Sequence, residues 1–248
     1  MDFKNRENKT LFQGKIKELL TEYQSLFDSY TSTEKDYKKA ALLYYWMRDY
    51  KNLLCAEDKF NPNFMPAFER GNVVNVNLGF NLGAEMGGLH YAVVLANSNK
   101  KNPNIVVAPL TSVKPGKDIK HLRPTEIAIG EELYSMIQGK YTALKTSIPA
   151  ESKLLQLALN GYNDTFNIHD KLRELDDKVL LLAKTMKKLQ VLKHGSIVVL
   201  NQIRTISKMR ISDPTDKYDI LYGLKLSSKH LDAIDDRLAN LYLKNLDK

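Results

Sequence analysis

Residues 70–97, RGNVVNVNLGFNLGAEMGGLHYAVVLAN, decide how the rest of the chain is read. They spell a strand, a glycine-rich loop and a second strand. Val73, Val74 and Val76 are β-branched and suit a pleated, half-buried surface. Gly79, Gly83, Gly87 and Gly88 fall between the apolar runs, where a tight backbone is wanted. Residues 91–95, YAVVL, have the length and composition of a buried strand. One histidine, His90, lies where the loop meets that strand, and Glu85 lies within the loop.

Outward from this core, further strands are expected at 105–110 (IVVAPL, ending at Thr111 and Ser112), 125–129 (TEIAI) and 196–200 (SIVVL), the last followed by NQIRTISKMRI. Residues 218–226 read as one more strand or an irregular segment. Turn-forming residues at 97–104 and 114–118 punctuate the series. Residues 60–69 carry two prolines and no helical period, and read as a linker into the β domain.

The flanks are helical. In the first segment Phe12, Ile16, Leu19, Tyr23, Leu26 and Tyr30 step by four and three, a heptad seam. Thr31 and Glu34 have the spacing of a capping box that would start a second helix, in which Ala40, Leu43, Met47, Tyr50 and Leu54 repeat the step. Tyr37, Tyr44, Tyr45 and Trp46 read as packing side chains rather than a base-stacking platform. Residues 131–163 are ambiguous, with helical stretches interrupted by Gly139, Pro149 and Gly161. From 168 the heptad returns through Ile168, Leu172, Leu175, Val179, Leu182, Met186 and Leu189, with Asp164 or Thr165 as the cap and Gly195 as the stop. Residues 227–246 form a terminal amphipathic helix. The pattern predicts an α+β chain in four parts: a helical hairpin over 1–58, β domain over 59–130, a helical insertion over 131–193, and the remaining strands and last helix over 194–248. No seam can be buried by one helix, so the hairpin is expected to pack on 165–192 as a coiled-coil bundle, with Leu175 and Val179 against Leu43 and Met47.

Composition narrows the function. Of 248 residues 43% are apolar and 27% charged, with a net charge of +8 and a pI of about 9.3. That field favours a polyanionic partner, whether nucleic acid or an acidic protein segment. No apolar run reaches the roughly 18 residues of a membrane span, and the N-terminus lacks a signal-peptide core. The single cysteine, Cys55, fits a reducing cytoplasm. The remaining histidines (His121, His169, His194, His230) are scattered, and no Cys or His pair has metal-ligand spacing, so neither metal nor cofactor is expected. A GxxxxGK[ST] phosphate loop is absent.

Taken in order, RGNVVNVNL, GAEMGG, AVVLAN, APLTS and GSIVVLNQIRTISKMRI resemble the MazF/PemK family of toxin ribonucleases over about 70–130 and 194–246, most specifically at Pro109-Leu110-Thr111-Ser112 and Gln202-Ile203-Arg204-Thr205. The resemblance implies a small, twisted, barrel-like β-sheet with a C-terminal helix, to which the hairpin and 131–193 are additions. It implies metal-independent cleavage of single-stranded RNA, in which the 2′-hydroxyl attacks phosphorus and leaves a cyclic phosphate and a 5′-hydroxyl. It further implies homodimers and an acidic antitoxin. In the family an arginine after the glycine loop and a threonine or serine at a later strand end carry much of the chemistry. Thr111 and Ser112 match the second position. At the first, Gly87-Gly88-Leu89-His90 departs from Gly-Gly-x-Arg. Histidine titrates near neutrality and suits proton transfer, whereas arginine holds a fixed charge. The expected site is therefore His90, Thr111 and Ser112, with RNA-binding or supporting places for Glu85 (a hydrogen-bond partner holding His90, or a residue merely facing solvent), Gly87, Gly88 and Arg204. The departure at His90 leaves open a catalytically silent RNA- or protein-binding module. A gyrase-poisoning toxin, an activity found on the same fold, would need a C-terminal tryptophan motif, and the only tryptophan is Trp46.

Overall fold

In the computed structural model, which describes residues 4–159, 165–192 and 195–243, the 70–97 stretch is an antiparallel strand pair, β1 (Val73–Asn77) and β2 (Leu89–Val94). Val73 lies opposite Val93 and Val76 opposite His90. The loop between them is closed at its neck: the Gly88 N–H donates to the Gly79 carbonyl at 2.7 Å, and the Leu78 N–H to the Gly88 carbonyl at 2.8 Å.

Five more strands follow: β3 (Asn104–Ser112), β4 (Glu126–Gly130), β5 (Ser196–Val199), β6 (Arg204–Ser207) and β7 (Ile211–Asp213). They form one antiparallel sheet of order β4-β5-β3-β2-β1-β7, with β6 also paired to β3. No pairing among the described residues joins β4 to β7, so the sheet is open. β3 is its central strand. It pairs with β2 through Ala92↔Pro109 to Val94↔Val107. It also pairs with β6 over 104–107 and with β5 over 110–112. β5 and β6 are in effect one partner strand broken by a turn at Leu200–Gln202.

Alternation along the strands sends apolar residues to both faces. On one face Val73, Val93, Ala108, Leu110 and Val198 meet buried residues of α3 (Glu132–Leu159), α4 (Thr165–Val191) and α5 (Ser228–Tyr242). On the other, Val74, Val76, Ala92, Val94 and Val107 close over Phe68 and Ile206. Fully burying a side chain of this size is worth about 1.5–3 kcal/mol, so the two clusters dominate what holds the domain. Residues 218–226 are irregular, with Ile220, Leu221 and Leu226 buried.

Three features of the helices go beyond the sequence reading. α3 runs unbroken through Gly139 and Pro149. Both are exposed, while Leu133, Ile137 and Leu155 on the opposite side are buried, and that burial outweighs the local propensity cost. Second, α3 is the helix that packs along α4. Lys178 pairs with Glu151 at 2.6 Å, and Leu175 lies beside Leu154 and Leu155. Only one row of the α4 heptad is used. Ile168, Leu175, Leu182 and Leu189 are half-buried, whereas Leu172, Val179 and Met186 stay 39–45% exposed. Leu175 thus faces α3. Third, the cap of the second helix is Thr33, not Thr31: its hydroxyl accepts from the Asp36 N–H at 3.3 Å. The expected α4 cap at Asp164 lies outside the described residues, as do His194 and residues 244–246.

The chain forms two compact units, Met1–Ala56 and Glu57–Lys248. The first is a hairpin of α1 (Arg6–Thr31) and α2 (Glu34–Ala56), in which Ala40 is the one described side chain that is buried. Among the described residues no helix is long and apolar enough to cross a membrane.

Candidate active site

The site arises where β2 and β3 part company. Their ladder stops at Ala92↔Pro109. Beyond it β2 stays with β1, while β3 turns its pairing to β5 through Leu110↔Val198, Thr111↔Ile197 and Ser112↔Ser196. The wedge between the diverging strands is a cavity of about 300 Å³. Leu89, His90 and Tyr91 form one wall, Leu110, Thr111 and Ser112 the other. Lys188, Val191 and Leu192 from the end of α4 close one side. Three of the expected site residues, His90, Thr111 and Ser112, therefore meet in one place.

His90 bridges the split. Its Nδ1 lies 3.0 Å from the Leu110 carbonyl oxygen. A carbonyl only accepts, so in the neutral ring Nδ1 carries the hydrogen and Nε2 keeps its lone pair. The backbone of β3 thus selects the tautomer that can take a proton at Nε2. Thr111 and Ser112 are half-buried, and their hydroxyls can each donate one hydrogen bond to an anionic oxygen.

The other expected residues have different places. Glu85 is exposed in the loop, facing solvent, and the acceptor for His90 Nδ1 is the Leu110 carbonyl. Gly87 and Gly88 shape the loop. A Cβ on Gly87 would sit 2.6 Å from the Gly79 carbonyl oxygen, and Gly88 has φ +79°, a region that side chains disfavour. Arg204 does not line the cavity. Its Nη2 donates to Gln202 Oε1 at 3.4 Å, the same oxygen that accepts from the Met86 N–H at 3.1 Å, while Gln202 Nε2 donates to the Ala84 carbonyl. The Gln202–Arg204 pair therefore clips the glycine loop to the β5–β6 turn, a supporting role.

Tyr91, next to His90 in β2, floors the cavity beneath α4. Its hydroxyl is buried with no hydrogen-bond partner among the described residues. The Lys188 ammonium lies 4.8 Å from the ring centroid, a cation–π distance. Burial pushes the phenol up, with Lys188 opposing and Asp213 adding to the rise. Asp213, on β7, is itself pushed from 3.8 up to about 6 by burial, reinforced by Asp219 and opposed by the Leu221 N–H, Lys188 and Lys140. Lys188 and Tyr91 escaped notice in the sequence, although Lys188 carried a signal: it is a charged residue on the stripe that Leu181, Thr185 and Leu192 define. Among the described residues no group of three or more His, Cys, Asp or Glu could hold a metal ion.

Fold and site define the class: an α+β domain on an open antiparallel sheet, in which an imidazole and two hydroxyls line one cavity at a strand divergence. Residues 69–146, from the start of the strand–loop–strand unit to the first half of α3, match the model of the family described as the PemK-like, MazF-like toxin of type II toxin–antitoxin systems.

Proposed function

We propose that the protein is a toxin-type endoribonuclease that cuts single-stranded RNA by metal-independent transesterification. The observation that carries this reading is the His90 imidazole, held by Leu110 at Nδ1 with no hydrogen bond to Nε2 among the described residues, beside Thr111 and Ser112 in one cavity. In the reaction Nε2 takes the proton from the 2′-hydroxyl. The O2′–P bond forms as the P–O5′ bond breaks, and the departing 5′-oxygen takes a proton from solvent. Thr111 and Ser112 donate hydrogen bonds to the non-bridging oxygens as charge builds on them. The products are a 2′,3′-cyclic phosphate and a 5′-hydroxyl. The match of residues 69–146 to a type II toxin model supports a protein partner as well: an antitoxin, whose acidic segment would suit a chain of net charge +8. A homodimer completes the proposed assembly.

One observation favours a second reading. His90 stands where the family carries arginine, and a site without that fixed charge would serve a binding module that does not cut. Incubation with a long RNA in excess chelator, with mapping of the ends, separates the two. Cutting with cyclic-phosphate ends, lowered about a hundredfold or more by His90→Ala at unchanged RNA affinity, is the expected result. Tight binding without cutting would establish the binding module, and activity restored only by a divalent ion would refute the reaction class.

A further inference from the structure

We infer that Lys188 is the cation of this site, reaching from the end of α4 to hold the scissile phosphate that His90, Thr111 and Ser112 act on. The inference rests on the reading of the cavity as an RNA site. A pentacoordinate phosphorus carries more negative charge than the phosphodiester it came from, and a low-dielectric cleft makes that charge costly unless a cation faces it. The β-strand walls supply no such charge: Leu89, Tyr91, Leu110, Thr111, Ser112 and Ser196 are neutral, and His90 in its accepting tautomer is neutral too. Lys188 is the one fixed cation on the cavity wall among the described residues.

Three features show that Lys188 is held for a ligand rather than for the fold. It makes no ion pair with any described residue; its neighbour is Tyr91, whose ring centroid is 4.8 Å away and whose phenol the ammonium also faces. It occupies the stripe of α4 that turns toward the sheet, a turn beyond buried Thr185 and a turn before half-buried Leu192, where an apolar residue would pack without loss of hydration. Third, the carbonyl end of α4 faces the cavity, with the Leu192 N–H already bonded to the Lys188 carbonyl at 3.0 Å. The partial negative charge of a helix C-terminus repels a phosphate, so the last turns of α4 are compatible with an anion only because an ammonium is there. The flexible four-carbon stem lets that ammonium leave the Tyr91 face for a phosphate oxygen.

Two measurements on the full-length protein test this. The first is binding of a 2′-O-methyl single-stranded oligonucleotide, which lacks the attacking hydroxyl, over a range of salt concentrations. Lys188→Met should reduce the slope of log K against log salt by about 0.7, the loss of one phosphate contact on a single strand; Lys188→Arg should restore it. The second is cleavage of unmodified RNA, where Lys188→Met should slow the cutting step about 100–1,000-fold, Lys188→Arg should retain much of the rate, and the melting temperatures of all three should agree. Should Lys188→Met fail to fold, Lys188→Gln replaces it. An unchanged salt slope with Lys188→Met or its replacement overturns the inference whether or not the parent cuts RNA. A parent that does not cut, but loses the slope with Lys188→Met, would overturn the nuclease reading and leave the phosphate contact standing.

Discussion

Replacing Asp213 by asparagine should stabilise the protein, and by an amount that depends on pH. The Asp213 carboxyl is largely buried between β7 and the 219–222 turn, with Oδ1 accepting the Leu221 N–H at 2.8 Å. Burial raises it from 3.8 to about 6. A carboxyl raised in the native state costs stability once the unfolded chain has released a proton that the native chain still holds. Stability therefore falls as pH rises through the window from 3.8 to about 6, and is level above it. At 1.36 kcal/mol per tenfold, the full loss is about 3 kcal/mol. The asparagine amide keeps a carbonyl oxygen for Leu221 and removes the charge. Urea unfolding should then show Asp213→Asn more stable than the parent by about 3 kcal/mol at pH 7.5 and by about 1 kcal/mol at pH 4.5. A gain equal at both pH values, or a loss at pH 7.5, would refute the reasoning.

The remaining expectations concern the site. Thr111→Val keeps the side-chain shape but removes the hydroxyl, and should lower the cutting rate about tenfold to a hundredfold with little effect on RNA affinity, measured in single-turnover assays. His90→Arg restores the family residue; it should lose activity at neutral pH if Nε2 is the base, and an arginine variant as fast as the parent would show that position 90 needs charge rather than proton transfer. Gly87→Ala drives a methyl group into the Gly79 carbonyl, 2.6 Å from the built Cβ, so a loss of about 1–3 kcal/mol is expected in thermal unfolding; an unchanged melting temperature would show a loop that yields freely. Gln202→Leu removes the acceptor of the Met86 N–H, and hydrogen exchange at that amide should speed up while the β3 core amides keep their protection.

How much was legible depended on the reach of the interaction. β1, β2 and β3 were readable because a half-buried strand writes itself as alternation within five residues. His90, Thr111 and Ser112 were found by resemblance, and the structure does bring them to one cavity. What held His90 was not readable, because the acceptor is a backbone carbonyl 20 residues away and every residue has one. The heptad of α4 announced a helix but not its partner: a repeat of seven marks two rows, and only the row through Leu175 and Leu182 meets α3. α3 itself was obscured by Gly139 and Pro149, exposed positions whose local cost is outweighed by burial at Leu133, Ile137 and Leu155. Lys188 went unread because a lysine on an amphipathic helix ordinarily lies in water; only the placement of α4 against the sheet gives it a different meaning.

The parting of β2 from β3 has a mechanical side. The imidazole rides on a strand braced by β1, and the two hydroxyls ride on a strand braced by β5. Were nothing to span the gap, every flexing of the open sheet would alter the distance between the imidazole and the hydroxyls, and the proposed reaction, which tolerates only small errors in approach, would be gated by sheet motion. The bond from His90 to the Leu110 carbonyl is a tie rod across that gap. It ties the ring to the residue immediately before Thr111 and so couples the imidazole to the end of β3 that carries the two hydroxyls.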